Sequence, residues 1–331
     1  MAEEIKRSSA PSVKSLTVQE ILDVKRDSLA LEVLTPGVSL ERRASDPDVS
    51  SPGLALAGFT ARVPEGRMWV FGETEMTYLG TLSPEAAREN LERLFAFDVP
   101  AIFVSKGQHV PEPFLQAARE HGVPVILSRR STKYVYQRLK PYLEEALAPS
   151  TNLHGSLSDV YGVGLLFVGD SGVGKSECVL DLVERGHRLV ADDLVIVSRR
   201  GNDVLIGRGH ELQRHHMEIR GIGIIDISTL FGVRAIRQQK RIEVVVQLEI
   251  WDAERSYSRT GLEEDEIEIL GVRIPRVTVP LNPGKNITVI SEVVAMNHLL
   301  KYSGIDSAHA FNQRLQQRMK PIREYLEQDY E

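Results

Sequence analysis

The sequence predicts an α/β protein in two parts: a small α/β domain over residues 1–148, and a P-loop domain over 149–331 with a β-rich core and C-terminal helices. Three observations carry this expectation. Short apolar runs alternate with helix-like segments between Met68 and Ser128, the pattern of a parallel sheet covered by helices. The stretch Gly169-Asp170-Ser171-Gly172-Val173-Gly174-Lys175-Ser176 matches G-x-x-x-x-G-K-[ST] and lies between an apolar run and a helical segment. The polar run "PSTNLHGSLSD" at 149–159 separates the two patterns and places the domain boundary.

In chain order, Thr17 with Glu20 three residues on predicts a capping box and a first helix. Met68–Phe71 reads as a short strand, and Ser83 followed by Pro84 opens a helix with apolar spacing through Leu91, Leu94 and Phe95. "PAIFVS" and "PVILS" read as buried strands on either side of the helical "PEPFLQAAREHG", which closes on Gly122. "STKYVYQRLKPYLEEALAPS" predicts a helix ending near Pro149. Beyond the boundary come the strand "VYGVGLLFVGD", the glycine loop, a helix, and the strand-like "HRLVADDLVIVS". "VVVQLEIWD", "VRIPRVTVP" and "NITVI" are β-rich, and the acidic "LEEDEIE" at 262–268 reads as a solvated loop or turn. Two helical segments, "SEVVAMNHLLKYSG" and "SAHAFNQRLQQRMKPIREYLEQ", end the chain.

The 331 residues are 42% hydrophobic, enough to bury a core without staples. With 40 basic and 46 acidic residues the net charge is −6, which does not favour a nucleic-acid partner. The segment 208–220, "RGHELQRHHMEIR", is a local exception, dense in Arg and His. His215 and His216 lack a nearby third ligand and are not read as a metal site. No run approaches the ~18 apolar residues of a membrane span, so no membrane association is expected. The single cysteine, Cys178, excludes an internal disulfide and suits a buried helix position in a cytoplasmic protein.

The glycine loop has a defined chemistry. A helix start presents unpaired N–H groups and the positive end of the helix dipole to a phosphate. Lys175 can neutralise the β- and γ-phosphates, and the Ser176 hydroxyl can coordinate Mg²⁺. Asp192 and Asp193 interrupt a strand-like run downstream. On an extended strand the two would face opposite ways, one serving Mg²⁺ and the other the nucleophile. The loop alone leaves open a small-molecule kinase and a catalytically silent nucleotide-binding regulator.

Five blocks narrow the choice: "HGSLSDVYGVGLLFVGDSGVGKSE", "RGHRLVADD", "HHMEIRGIGIIDI", "WDAERSYSRTGL" and "VTVPLNPGKNITVISEVVAMN". In this order they resemble the HPr kinase/phosphorylase family, which phosphorylates and dephosphorylates a serine of the sugar-transport phosphocarrier HPr. The resemblance implies a P-loop kinase domain, ATP or pyrophosphate as donor, Mg²⁺, HPr as partner, a homohexamer, and a reverse reaction in which inorganic phosphate attacks phosphoserine and releases pyrophosphate. It makes Lys175 the phosphate-binding lysine, Ser176 and Glu218 Mg²⁺ ligands, and Asp193 the acceptor of the serine proton. His154 and Arg259 match further catalytic positions. Pro280, Leu281, Asn282, Pro283, Gly284 and Lys285 match the loop important for dephosphorylation. Lys285 stands where the family has arginine, keeping the charge but losing the planar fork. The last helix is implied to contact HPr, and Arg314, Arg318, Lys320 and Arg323 beside Leu315 and Met319 give it a mixed surface suited to a partner or to docking within the oligomer.

Overall fold

The computed structural model describes residues 14–254, 265–282 and 284–328. The chain divides into two compact units, Ser12–Pro149 and a second that takes in Ser150–Glu331.

In the first unit, the helix Val18–Leu29 starts at the expected box. Thr17 Oγ1 accepts from the Glu20 amide at 3.2 Å, and Glu20 Oε2 accepts from the Thr17 amide at 2.7 Å. A five-stranded sheet runs in the order Leu31–Val33, Val125–Ser128, Ile102–Val104, Met68–Phe71, Val49–Ser50. All neighbours are parallel except Leu31–Val33, which is antiparallel at one edge. Strand alternation sorts the side chains to two faces. Val70, Phe103 and Ile126 pack with the first helix and with Thr132–Ala146, while Trp69, Phe71 and Val104 pack with Pro84–Phe95 and Glu112–Glu120. Ser83 caps the helix that Pro84 opens, as expected. Thr132–Ala146 ends before Pro149.

The second unit is built on a six-stranded sheet in the order Arg188–Ala191, Ser156–Val160, Val163–Val168, Val244–Ile250, Val272–Leu281, Asp265–Ile269. Its three central strands are mutually parallel and the flanking ones antiparallel. A four-stranded antiparallel sheet follows the order Gln239–Arg241, Val204–Gly209, Leu194–Arg200, Ser150–His154. A hairpin pairs His216–Ile219 with Gly223–Asp226.

Four local expectations are corrected. The polar run 149–159 supplies two strands, Ser150–His154 and Ser156–Val160. Its Ser158 and Asp159 are buried because they find distant partners: Ser158 Oγ donates to the Arg188 carbonyl at 3.0 Å, and Asp159 pairs with Arg237. "HRLVADDLVIVS" is two strands in two different sheets, broken at Asp192 and Asp193. "NITVI" opens the helix Ile287–Tyr302, because the Asn286 side chain caps the Val289 amide at 3.0 Å and this outweighs the β-branched run. Part of "LEEDEIE" is the edge strand Asp265–Ile269, with Ile267 and Ile269 buried between exposed Glu266 and Glu268.

Candidate functional site

The glycine loop follows the buried strand Val163–Val168 and leads into the helix Lys175–Glu184, which is anchored by Cys178, Val179, Leu182 and Val183. The loop therefore sits at the carboxyl end of a central parallel strand, where a crevice opens in sheets of this kind. Lys175 is only 7% exposed, and its amine donates to the Gly169 carbonyl at 2.8 Å and the Asp170 carbonyl at 2.9 Å. Burial pulls the Lys175 pKa below the ordinary lysine value, against the opposing pull of Asp192 and Asp170.

Two strands change sheets side by side at this level. One passes from Ser150–His154 to Ser156–Val160 through Gly155, where an added Cβ would stand 2.4 Å from the Phe167 carbonyl oxygen. The other passes from Arg188–Ala191 to Leu194–Arg200 through Asp192 and Asp193. The Gly155 amide donates to the Asp193 carbonyl at 3.0 Å and ties the crossings together. Asp193 takes a φ of 62°, a left-handed conformation that aspartate tolerates better than most residues.

The bend corrects the expectation that the two aspartates face opposite ways, since both line one cleft. Asp192 is 6% exposed, and its Oδ1 accepts from Ser156 Oγ at 2.5 Å and Ser176 Oγ at 3.0 Å. Its Oδ2 is buried with no hydrogen-bond partner among the described residues. Burial raises the Asp192 pKa above the ordinary aspartate value, although the bonds from Ser156 and Ser176 oppose that shift. Asp193 is exposed, with Oδ1 3.1 Å from His154 Nδ1.

The cleft also gathers Ser171, Gly172, Gly174 and, from the hairpin strand His216–Ile219, Glu218. Gly169, Asp170 and Val173 complete the loop outside the cleft lining. The 280–285 segment begins with the last two residues of the strand Val272–Leu281 and does not line the cleft among the described residues; Lys285 Nζ donates to the Pro280 carbonyl at 2.9 Å. Arg259 and Pro283 lie outside the described residues.

A buried, unpartnered carboxylate oxygen beside a P-loop serine fits a hard cation, because such a group is costly to bury without a partner. Asp192 was legible as half of an acidic pair but not as the buried half. Ser156 and Arg220 also line the cleft; both fall in blocks that carry the family resemblance, but neither is singled out there as a site residue.

Known proteins resemble this chain in both of its units. A family model described as "HPr Serine kinase C-terminal domain" matches residues 145–315, and one described as "HPr Serine kinase N terminus" matches 16–143. A protein of Geobacillus kaustophilus named HPr kinase/phosphorylase is 46% identical over 87% of this chain and 93% of its own. One of the same name from Chloroherpeton thalassium is 44% identical over 96% of this chain and 97% of its own. A solved structure titled as the Hpr(Ser) kinase/phosphatase from Coxiella burnetii is 32% identical, covers 49% of this chain and 98% of that one, and superposes with a TM-score of 0.44. Matched along nearly its whole length by relatives of one name, and by that family's models in both units, the chain belongs to the HPr kinase/phosphorylase family.

Proposed function

We propose that this chain transfers a phosphoryl group from ATP or pyrophosphate to a serine of HPr and, in reverse, from phosphoserine to inorganic phosphate. The observation that carries the assignment of roles is the pair of adjacent aspartates in different states. Asp192 is buried with one oxygen free, and Asp193 is exposed beside His154.

In the forward direction the serine Oγ attacks the terminal phosphorus of the donor. The bond from that phosphorus to the bridging oxygen breaks, and the serine proton passes to the Asp193 carboxylate. In reverse an oxygen of inorganic phosphate attacks the phosphoserine phosphorus, the ester bond breaks, the Asp193 carboxyl returns a proton to serine Oγ, and pyrophosphate forms. One loop position serves both directions: it holds the phosphate of the leaving ADP or orthophosphate forward and the attacking inorganic phosphate in reverse. Lys175 gives up its carbonyl contacts to neutralise that phosphate, and His154 orients the Asp193 carboxylate. Such transfer needs mainly positioning and charge stabilisation.

Mg²⁺ would be held by Asp192 Oδ2 and the Ser176 hydroxyl, with Glu218 offered from the hairpin. Bound there, the ion would offset phosphate charge. By resemblance Arg259 takes a catalytic position and the 280–285 loop serves dephosphorylation. Apolar side chains left exposed at Ile222, Ile224, Leu230 and Val233 suit a contact with another chain, as the homohexamer implied by resemblance would require. No helix among the described residues is long and apolar enough to cross a membrane, and a cytoplasmic location suits the single buried cysteine.

Incubation with HPr, Mg²⁺ and ATP, followed by added phosphate, tests the reading by intact mass. The expected result is a phosphate-sized gain on one serine and its loss with pyrophosphate release. No gain with either donor, despite measurable nucleotide binding, overturns it.

A further inference from the structure

Ser156 opens the buried strand Ser156–Val160, directly after the Gly155 crossing, and is 1% exposed. A hydroxyl buried that deeply in a sheet has to be satisfied. Its partner comes from far along the chain: Ser156 Oγ donates to Asp192 Oδ1 at 2.5 Å.

An irregularity in the neighbouring strand brings the two together. Arg188–Ala191 pairs antiparallel with Ser156–Val160, with Arg188 opposite Asp159 and Leu189 opposite Ser158, yet Ala191 rather than Val190 lies opposite Leu157. The extra residue is a β-bulge, which re-aims the side chains that follow it. Carried one residue on, the shifted register sets Asp192 opposite Ser156. An unbroken ladder would set it opposite Gly155, which has no side chain to offer. Ser158 ties down the strand before the bulge, donating to the Arg188 carbonyl at 3.0 Å.

Two hydroxyls therefore hold Asp192 Oδ1, and they differ in what else they serve. Ser176 reaches it at 3.0 Å from the end of the phosphate loop and is itself a donor for the cation. Ser156 reaches it from the six-stranded sheet and has no share in the ion. With Oδ1 engaged, Oδ2 is the oxygen left without a partner among the described residues. We propose that Ser156 is a positioning residue for the divalent cation: its hydroxyl fixes the Asp192 carboxylate with Oδ2 offered to the ion, and so sets how tightly the cleft holds that ion. This rests on the reading of Asp192 and Ser176 as cation donors. The terminal torsion of an aspartate is broad, so a bond to one oxygen from a rigid strand selects one orientation of the carboxylate. Groups that orient a metal's ligands in this way are worth about 10–100-fold in affinity.

The test compares Ser156→Val and Ser156→Thr, which share a shape and differ in the hydroxyl, with Ser156→Ala and the unaltered protein. Mn²⁺ is the probe, its binding read from the loss of the free-ion EPR signal without nucleotide or HPr. Unfolding midpoints in EDTA and the Mg²⁺ concentration for half-maximal phosphorylation of HPr accompany it. For Ser156→Val and Ser156→Ala, the Mn²⁺ Kd and the half-maximal Mg²⁺ concentration should rise about 10–100-fold, and for Ser156→Thr less than about threefold. The loss of rate should lie in the Mg²⁺ requirement rather than in kcat. A Ser156→Ala Kd within about threefold of the unaltered value overturns the proposal, as does equal binding by Ser156→Val and Ser156→Thr. A change confined to the EDTA midpoint overturns it too, since that is what a hydroxyl with only a structural task would give. Absence of Mn²⁺ binding in the unaltered protein would instead remove the reading of Asp192 and Ser176 as cation donors.

Discussion

Asp192→Asn separates a structural aspartate from one kept ready for a cation. The buried Asp192 Oδ2 has no partner, and an unsatisfied buried polar group costs about 1–3 kcal/mol, more when charged. Asparagine keeps Oδ1 as acceptor for Ser156 and Ser176 and replaces the charged orphan with a neutral one. Without divalent cation the variant should therefore be more stable, by about 1 kcal/mol, which moves the midpoint of a unit this size by about 2–4 °C. With Mg²⁺ and nucleotide at 100 times Kd, the unaltered protein gains about 2.7 kcal/mol by linkage and the variant gains little, so the order of the midpoints reverses. Thermal unfolding with and without Mg-ATP reads both arms. The pH dependence adds a third. Because burial raises the Asp192 pKa in the folded protein, the proton is held more tightly folded than unfolded. Its contribution is fully favourable below the unfolded aspartate value of about 3.9 and is lost as pH rises through the higher folded value. The advantage of Asp192→Asn should be largest near neutrality and close on acidification. A variant that is less stable without cation, or equally stabilised by Mg-ATP, would refute the reasoning.

Four further outcomes follow from the same geometry. Lys175→Ala should lower both transfer rates at least about a hundredfold in a folded protein, and pyrophosphate-release and mass assays near the unaltered rate would remove the loop from the chemistry. Lys285→Ala breaks the bond to the Pro280 carbonyl and should slow phosphorolysis more than phosphorylation; equal losses would reject that division. The Cys178 thiol, pushed up to about 11 by burial, should resist a disulfide reagent at pH 8 until the protein is denatured, and rapid labelling of the native protein would contradict its burial. Glu292 accepts from Arg185 Nη2 at 2.6 Å and lies 3.1 Å from His187 Nε2, and the Arg185 hydrogen bond foremost holds its pKa below the ordinary glutamate value. Its contribution is therefore present above the unfolded value of about 4.3 and lost as pH falls through the lower folded value, so Glu292→Gln should be less stable at neutrality and lose less on acidification. An acid transition unchanged by that substitution would show that Glu292 does not set it.

What the sequence made legible was what is local. The phosphate loop is contiguous, and Thr17, Ser83 and Pro84 announce their helices within one turn, so each appeared where expected. The strands at 150–160 were hidden because Ser156, Ser158 and Asp159 look like linker residues until Asp192, Arg188 and Arg237 satisfy them from far along the chain. The burial that distinguishes Asp192 from Asp193 depends on a bend that two adjacent aspartates do not reveal. Arg220 was visible in a basic cluster and in one block of the resemblance, but its place against Gly172 was not.

On the roles proposed above, the paired crossings at Gly155 and Asp193 would divide the cleft into a donor half and an acceptor half. Lys175, Ser176 and Asp192 follow strands of the six-stranded sheet, whereas His154 ends a strand of the antiparallel sheet directly opposite Leu194, the residue after Asp193. On the proposed roles the proton-handling pair rides on one ladder and the phosphate-handling set on the other. Drift in the antiparallel sheet would then change which hydroxyl is aligned, and drift in the six-stranded sheet which phosphate is held, so the two properties could evolve on separate surfaces of one fold.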